Sequence, residues 1–183
     1  GSWTHIAKNI EDAGADALEL NVAIFPATPS MTSLEIENEY IHIVHKVASD
    51  VNIPVSVKIG FYFTNLPAMV SHLSEAGAKG IVLFNRFYRP DIDIDKIELT
   101  TPNVFSASEE SAITLRWIGL LTEKFASDIV ASTGIYRYDH AVKQILAGAK
   151  AIQICSVLYK YGSKAISQIT DGIEIWMKDK GFK

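Results

Sequence analysis

The sequence predicts an α/β fold with a parallel sheet and right-handed crossovers. Three copies of one phrase carry that prediction: Ala13-Gly14-Ala15 before ALEL, Ala76-Gly77-Ala78 before IVLF, and Ala147-Gly148-Ala149 before AIQI. Each glycine follows an amphipathic helical stretch, where a left-handed backbone costs it no side-chain clash. The runs that follow are apolar without strict alternation, as expected of strands buried on both faces of a parallel sheet. Helix, glycine and buried strand, repeated along a chain, give right-handed crossover units.

The elements follow in order. A helix is expected over 3–13 and a strand over 17–23. A loop rich in Pro, Thr and Ser runs from Phe25 to Ser33. The next helix, to about Ser49, has Leu34, Ile36, Tyr40, Ile43, Val44 and Val47 at apolar positions. Ser33 suits its N-cap, and Ile36 three residues later rules out a capping box on that serine. Pro54 introduces a strand over 55–59, followed by helix 65–76 and strand 81–85. The polar-aromatic stretch 86–108 holds the acidic run DIDIDKIEL, read as a solvated loop or a lid edge. Helix 109–125, strand 129–132, helix 138–147, strand 151–155 and a final helix over 159–180 complete the chain.

Five such strands fit an open doubly wound sheet or part of a (β/α)8 barrel. A whole barrel takes about 250 residues, and this chain has 183. The barrel reading therefore expects a single domain, 1–183, carrying about five parallel strands, with roughly three units placed before Gly1. Such a sheet alone would leave edges and core surface uncovered, and association is expected.

Composition bounds the function. The chain is 48% hydrophobic and 21% charged, ordinary for a globular protein. With net charge -4 and no basic cluster, nucleic acid is not an expected partner. No apolar run reaches the roughly 20 residues of a membrane span, so a cytoplasmic protein is expected. The one cysteine, Cys155, excludes an intrachain disulfide and a multi-cysteine metal site. All five histidines (His5, His42, His45, His72, His140) fall in helical stretches without a metal-binding pattern, and no metal is expected.

The chemistry of this fold class sits at the strand C-terminal ends. The first strand closes on Glu19-Leu20-Asn21. Its asparagine is either a ligand contact or an amide satisfied by neighbouring backbone. Lys58 lies between Val57 and Ile59, too apolar a segment for a solvent face. It faces an anion or an electron-rich cofactor edge, or it snorkels to water. Asn85 ends the third strand, followed by Arg86 and Arg89 around Phe87 and Tyr88. Those arginines suit a planar carboxylate ligand, or are pinned by Asp91, Asp93 and Asp95. The last two strands run into Ser132-Thr133-Gly134 and Cys155-Ser156. Small residues there let backbone N–H groups point at a phosphate, as after the last two strands of many barrels. Cys155 reads as a small core or turn residue, with no histidine placed to activate it.

The succession ELN, VKI before FYF, LFNR, ASTG and IQICS resembles the C-terminal part of dihydroorotate dehydrogenase, from Gly14 to Lys180-Gly181-Phe182. FYFTNL and LFNRFYRPDID look most like the dihydroorotate dehydrogenase-like bacterial branch. The resemblance implies a (β/α)8 barrel, seen here from its fourth to eighth strands, with FMN as cofactor and dihydroorotate as the small-molecule substrate. It also implies a homodimer. By resemblance Asn21 and Asn85 would bind substrate and Lys58 would sit against the flavin. Ser132, Thr133 and Gly134, completed by Cys155 and Ser156, would cradle the FMN phosphate. Three features depart from the family: the base position, the asparagine that follows it, and a glycine replaced by Cys155, which keeps its backbone N–H; the first bears on the chemistry. The family's general base, a Cys or Ser in a short segment after the asparagine, corresponds here to Ile24, which cannot take a proton. Thr28 and Ser30 are nearby hydroxyls at a different spacing. Three functions therefore stand open: a dihydroorotate-oxidising flavoenzyme, an FMN-binding barrel without that activity, and a flavin-free barrel enzyme acting on a phosphorylated metabolite.

Overall fold

The structure, a computed structural model, describes residues 2–26, 28–102 and 104–182; Gly1, Ala27, Asn103 and Lys183 lie outside it. In chain order the elements are α1 (Ser2–Asp12), β1 (Leu18–Asn21), α2 (Ser33–Asp50), β2 (Val55–Ile59), α3 (Leu66–Glu75), β3 (Gly80–Leu83), β4 (Asp91–Asp93) and β5 (Glu98–Thr100). After a short 3-10 turn follow α4 (Ser111–Leu121), β6 (Asp128–Ser132), α5 (Tyr138–Leu146), β7 (Ala151–Gln153), α6 (Ser156–Tyr161) and α7 (Lys164–Lys180).

The three glycine phrases do the same job in the same way. Gly14, Gly77 and Gly148 have φ of 88°, 110° and 112°. At each, the glycine N–H bonds back to the residue three before it. The following alanine bonds to the residue five before it: Ala15 to Ile10, Ala78 to Leu73 and Ala149 to Gln144. This is a Schellman closure, and it turns the chain directly into β1, β3 and β7.

The main sheet is parallel, in the order β1-β2-β3-β6-β7. Register sorts its two faces. Leu20, Val57, Ile81 and Ile129 lie in one row and are buried under the helices, with Val44, Val47, Leu66, Val70, Leu73, Ile118 and Leu121 in the same core. The alternate row carries Asn21, Lys58, Val82 and Val130, with Ser132 paired to Gln153. That second face is polar toward the strand ends.

The sheet is strongly curled. β1 and β7 stand at opposite edges, about 19 Å apart in a flat sheet at the usual strand spacing. Yet Gln153 Nε2 donates to Glu19 Oε2 at 2.9 Å. Two side chains cannot span that distance, so the polar face is the inside of a trough, the curvature of a barrel wall.

Three expectations are corrected. Ser33 does not cap α2: Thr32 does, accepting from the Glu35 N–H while Glu35 accepts from the Thr32 N–H, a complete capping box. The acidic run is not a plain loop, because β4 and β5 pair as an antiparallel ribbon. The final helix is two, α6 and α7, broken at Gly162 with φ of 72°. No helix among the described residues is long and apolar enough to cross a membrane.

Candidate active site

A cavity of about 230 Å³ opens at the C-terminal ends of β2, β3, β6 and β7. It brings together Lys58, Asn85, Ser132, Thr133, Gly134, Cys155 and Ser156, seven of the eight residues expected from sequence to bind substrate or cofactor. Asn21 is the exception. It is exposed at the end of β1, beside Lys58 in register but outside the cavity lining.

Lys58 is half-buried, and its Nζ donates to Gln153 Oε1 at 2.6 Å. Burial pushes its pKa below the usual lysine range, opposed by the nearby Glu19 carboxylate and by Cys155. Gln153 also accepts from Ser132 Oγ at 3.2 Å. Glu19, Lys58, Ser132 and Gln153 thus form one polar chain across the trough. Asn85 is pinned through its Nδ2, which donates to Val22 O and Lys58 O, each at 3.3 Å. Its carbonyl oxygen has no partner among the described residues and is available to a ligand N–H.

The two turns meet the cavity through backbone. Their hydroxyls are committed: Thr133 Oγ1 donates to Phe84 O at 3.0 Å, and Ser156 Oγ accepts from the Ser106 N–H at 3.0 Å. The N–H groups of Gly134, Ile135, Ser156 and Val157 have no partner among the described residues. Unpaired N–H groups on two facing turns are the donor set a phosphate requires. Thr133 and Gly134 both have φ of 77°. An added Cβ on Gly134 would fall 2.5 Å from Ser111 N and 2.9 Å from Ala107 O, so the tight turn admits no side chain there. Cys155 is a turn residue rather than a core one. It is exposed and stands at the N-cap of α6 with a negative φ of -139°. These donors fit a phosphate such as that of FMN. At about 230 Å³ the cavity is below the roughly 300 Å³ of small ligand sites. It is large enough for one end of such a cofactor.

The arginines have a partner that the sequence reading did not weigh. Arg86 Nε and Arg89 Nη1 both pair with Glu110, each at 3.0 Å, and not with the aspartates of the acidic ribbon. Glu110 also accepts from the Ala107 N–H, so the pair fixes the loop that carries Ser106 to Ser156. Ile24 lies outside the Lys58 cavity. It lines a neighbouring cleft of about 130 Å³ with Tyr40, Phe63 and Phe87, and its N–H donates to the Tyr40 hydroxyl. Burial raises the Tyr40 pKa, partly offset by that N–H. Thr28 and Ser30 are exposed and hydrogen-bond each other. Gln153 and Glu19 were missed as site residues. The signal was present, since Gln153 is a polar residue within the apolar run AIQI, the same anomaly that marks Lys58.

A curled parallel sheet with its ligand cleft at the strand C-terminal ends is the architecture of a (β/α)-barrel enzyme. The sequence profile of the dihydroorotate dehydrogenase family matches residues 2–177, and the chain belongs to that family, whose fold is a TIM barrel. It is 29% identical, over all of its length and 61% of the relative's, to a putative dihydroorotate dehydrogenase A (fumarate) of Aeropyrum pernix. It is 25% identical, over 99% of its length and 61% of the relative's, to the catalytic subunit of a dihydroorotate dehydrogenase B (NAD(+)) of Thermoplasma volcanium. The catalytic subunit of the Caldicellulosiruptor bescii enzyme of that type is 31% identical over 71% of the chain and 44% of the relative. The chain therefore spans about 61% of the length of the first two relatives.

Proposed function

We propose that this chain carries the cofactor-binding side of an FMN-dependent oxidoreductase of the dihydroorotate dehydrogenase type. The observation that carries the proposal is one cleft combining a half-buried lysine, a pinned asparagine with a free carbonyl, and two turns of unpaired N–H groups. FMN, when bound, supplies the hydride acceptor. The N–H groups of Gly134, Ile135, Ser156 and Val157 would hold its phosphate, and Ser132 and Thr133 shape the turn that presents them. Cys155 contributes its backbone rather than its thiol. Lys58 would place positive charge where electron density accumulates. Asn85 and, at the rim, Asn21 would orient a dihydroorotate-like substrate. A cytoplasmic homodimer acting in pyrimidine biosynthesis completes the reading.

Ile24 favours a second reading, an FMN-binding barrel without dihydroorotate oxidation. An alkyl group takes no proton, and the cleft Ile24 lines is walled mainly by Ile36, Tyr40, Tyr62, Phe63 and Phe87, with Ser33, Glu37 and Thr64 at its polar positions. Anaerobic mixing of the FMN-loaded protein with dihydroorotate separates the two. Bleaching of the flavin band, accelerated about 100-fold or more in Ile24→Cys, supports the first. An unbleached flavin in both proteins establishes the second.

A further inference from the structure

We propose that Gln153 is a positioning residue: it stands between Lys58 and Glu19 and keeps the lysine charge directed at the cleft instead of spent in an ion pair. The geometry leaves its amide one orientation. The oxygen faces two donors, Lys58 Nζ at 2.6 Å and Ser132 Oγ at 3.2 Å, and the nitrogen faces the Glu19 carboxylate at 2.9 Å. A carboxamide accepts from the cation through its oxygen and donates to the anion through its nitrogen, so one uncharged side chain serves both. Among the described residues Lys58 and Glu19 form no direct salt bridge, although the carboxylate is near enough to raise the lysine's proton affinity. One ammonium N–H is used by the amide, and two remain for a ligand. The same contact ties β7 to β2 and to β1, so it also sets how tightly the trough closes. Naming the flavin as the group served rests on the proposed function. The placement of Lys58 does not.

The charged and titratable groups that bear on Lys58 are Glu19 and Cys155. Lysine-selective 15N and 13C labelling lets the Lys58 resonance be followed by NMR without any cofactor. Gln153→Glu puts a carboxylate directly on the ammonium, and the Lys58 proton equilibrium is expected to shift upward by about tenfold or more. Gln153→Met keeps the length and removes the acceptor. The exchange of the Lys58 ammonium protons with solvent is then expected to accelerate by about tenfold, the scale of one lost hydrogen bond. A Lys58 titration and exchange rate unchanged in both variants would overturn the proposal. FMN-loaded proteins report separately on the reading beneath it. Gln153→Glu is expected to favour the oxidised over the reduced cofactor by about tenfold in relative affinity, lowering the midpoint potential. An NMR response in a protein that binds no FMN would uphold Gln153 as the positioner of Lys58 and defeat the flavin reading alone.

Discussion

Two glycines of the same motif differ in what surrounds them, and the difference is measurable. A Cβ on Gly14 meets nothing within 4 Å. A Cβ on Gly148 would fall 2.2 Å from Thr122 Oγ1 and 2.4 Å from Thr122 Cγ2. Gly14→Ala should therefore cost about 1 kcal/mol, the strain of a left-handed alanine. Gly148→Ala should cost about 2–4 kcal/mol, strain plus overpacking. Thr122→Ala should recover part of the second loss and none of the first, which denaturant unfolding of the double variants would read as a coupling energy. Thr122 Oγ1 is buried without a partner among the described residues, so its removal forfeits no hydrogen bond there. At this scale the sequence was informative wherever a residue type was out of place in its surroundings. Lys58 stands in an apolar strand, and it lines the cleft. Gln153 carried the same signal. Glu110 carried none, because a glutamate in a polar stretch looks solvated, and only the fold brings Arg86 and Arg89 to it.

Helix ends set the element scale. The Thr32–Glu35 box satisfies two backbone N–H groups at the start of α2, and Thr32→Ala should cost about 1 kcal/mol in thermal or denaturant unfolding. At the start of α5, Asp139 is held down to about 2 from 3.8, first by its hydrogen bonds with Arg137, with His140 and Lys143 adding to the effect. A carboxyl whose folded pKa is depressed contributes stability above its unfolded value and loses it as pH falls through the folded one. The contribution of Asp139 should thus be complete above about pH 4 and gone near pH 2, and Asp139→Asn should flatten that part of the stability–pH curve. Strand 55–59 and the helix starting at Tyr138 were legible in the sequence to the residue, since Pro54 and the periodic apolar positions mark them. The α6–α7 break was not, because Gly162 sits among Tyr, Lys and Ser residues that suit a continuous helix. The β4–β5 ribbon was hidden for a different reason. Its strands are three residues each, and alternating Asp and Ile on an exposed hairpin lacks a buried face to give a pattern.

For the whole molecule, the curl of the sheet matters more than the list of its strands. Helices cover one face and leave the other as a trough, with Glu19 and Gln153 reaching across it from the two edge strands. Parallel order and helix-covered core followed from the glycine phrases and the apolar runs. The curl did not, since nothing in five β-α units distinguishes a flat sheet from a barrel wall until side chains meet across it. Curvature is also what gathers the two turns, Lys58 and Asn85 around one cleft, and the flavin reading depends on that convergence. Calorimetric titration of the purified protein with FMN, and with riboflavin as its counterpart lacking the phosphate, tests it most directly. Saturable FMN binding is predicted, weaker by about tenfold or more for riboflavin, since each charge-assisted phosphate contact is worth about 1.5–3 kcal/mol. Riboflavin binding as tightly as FMN, or neither binding, would contradict the account.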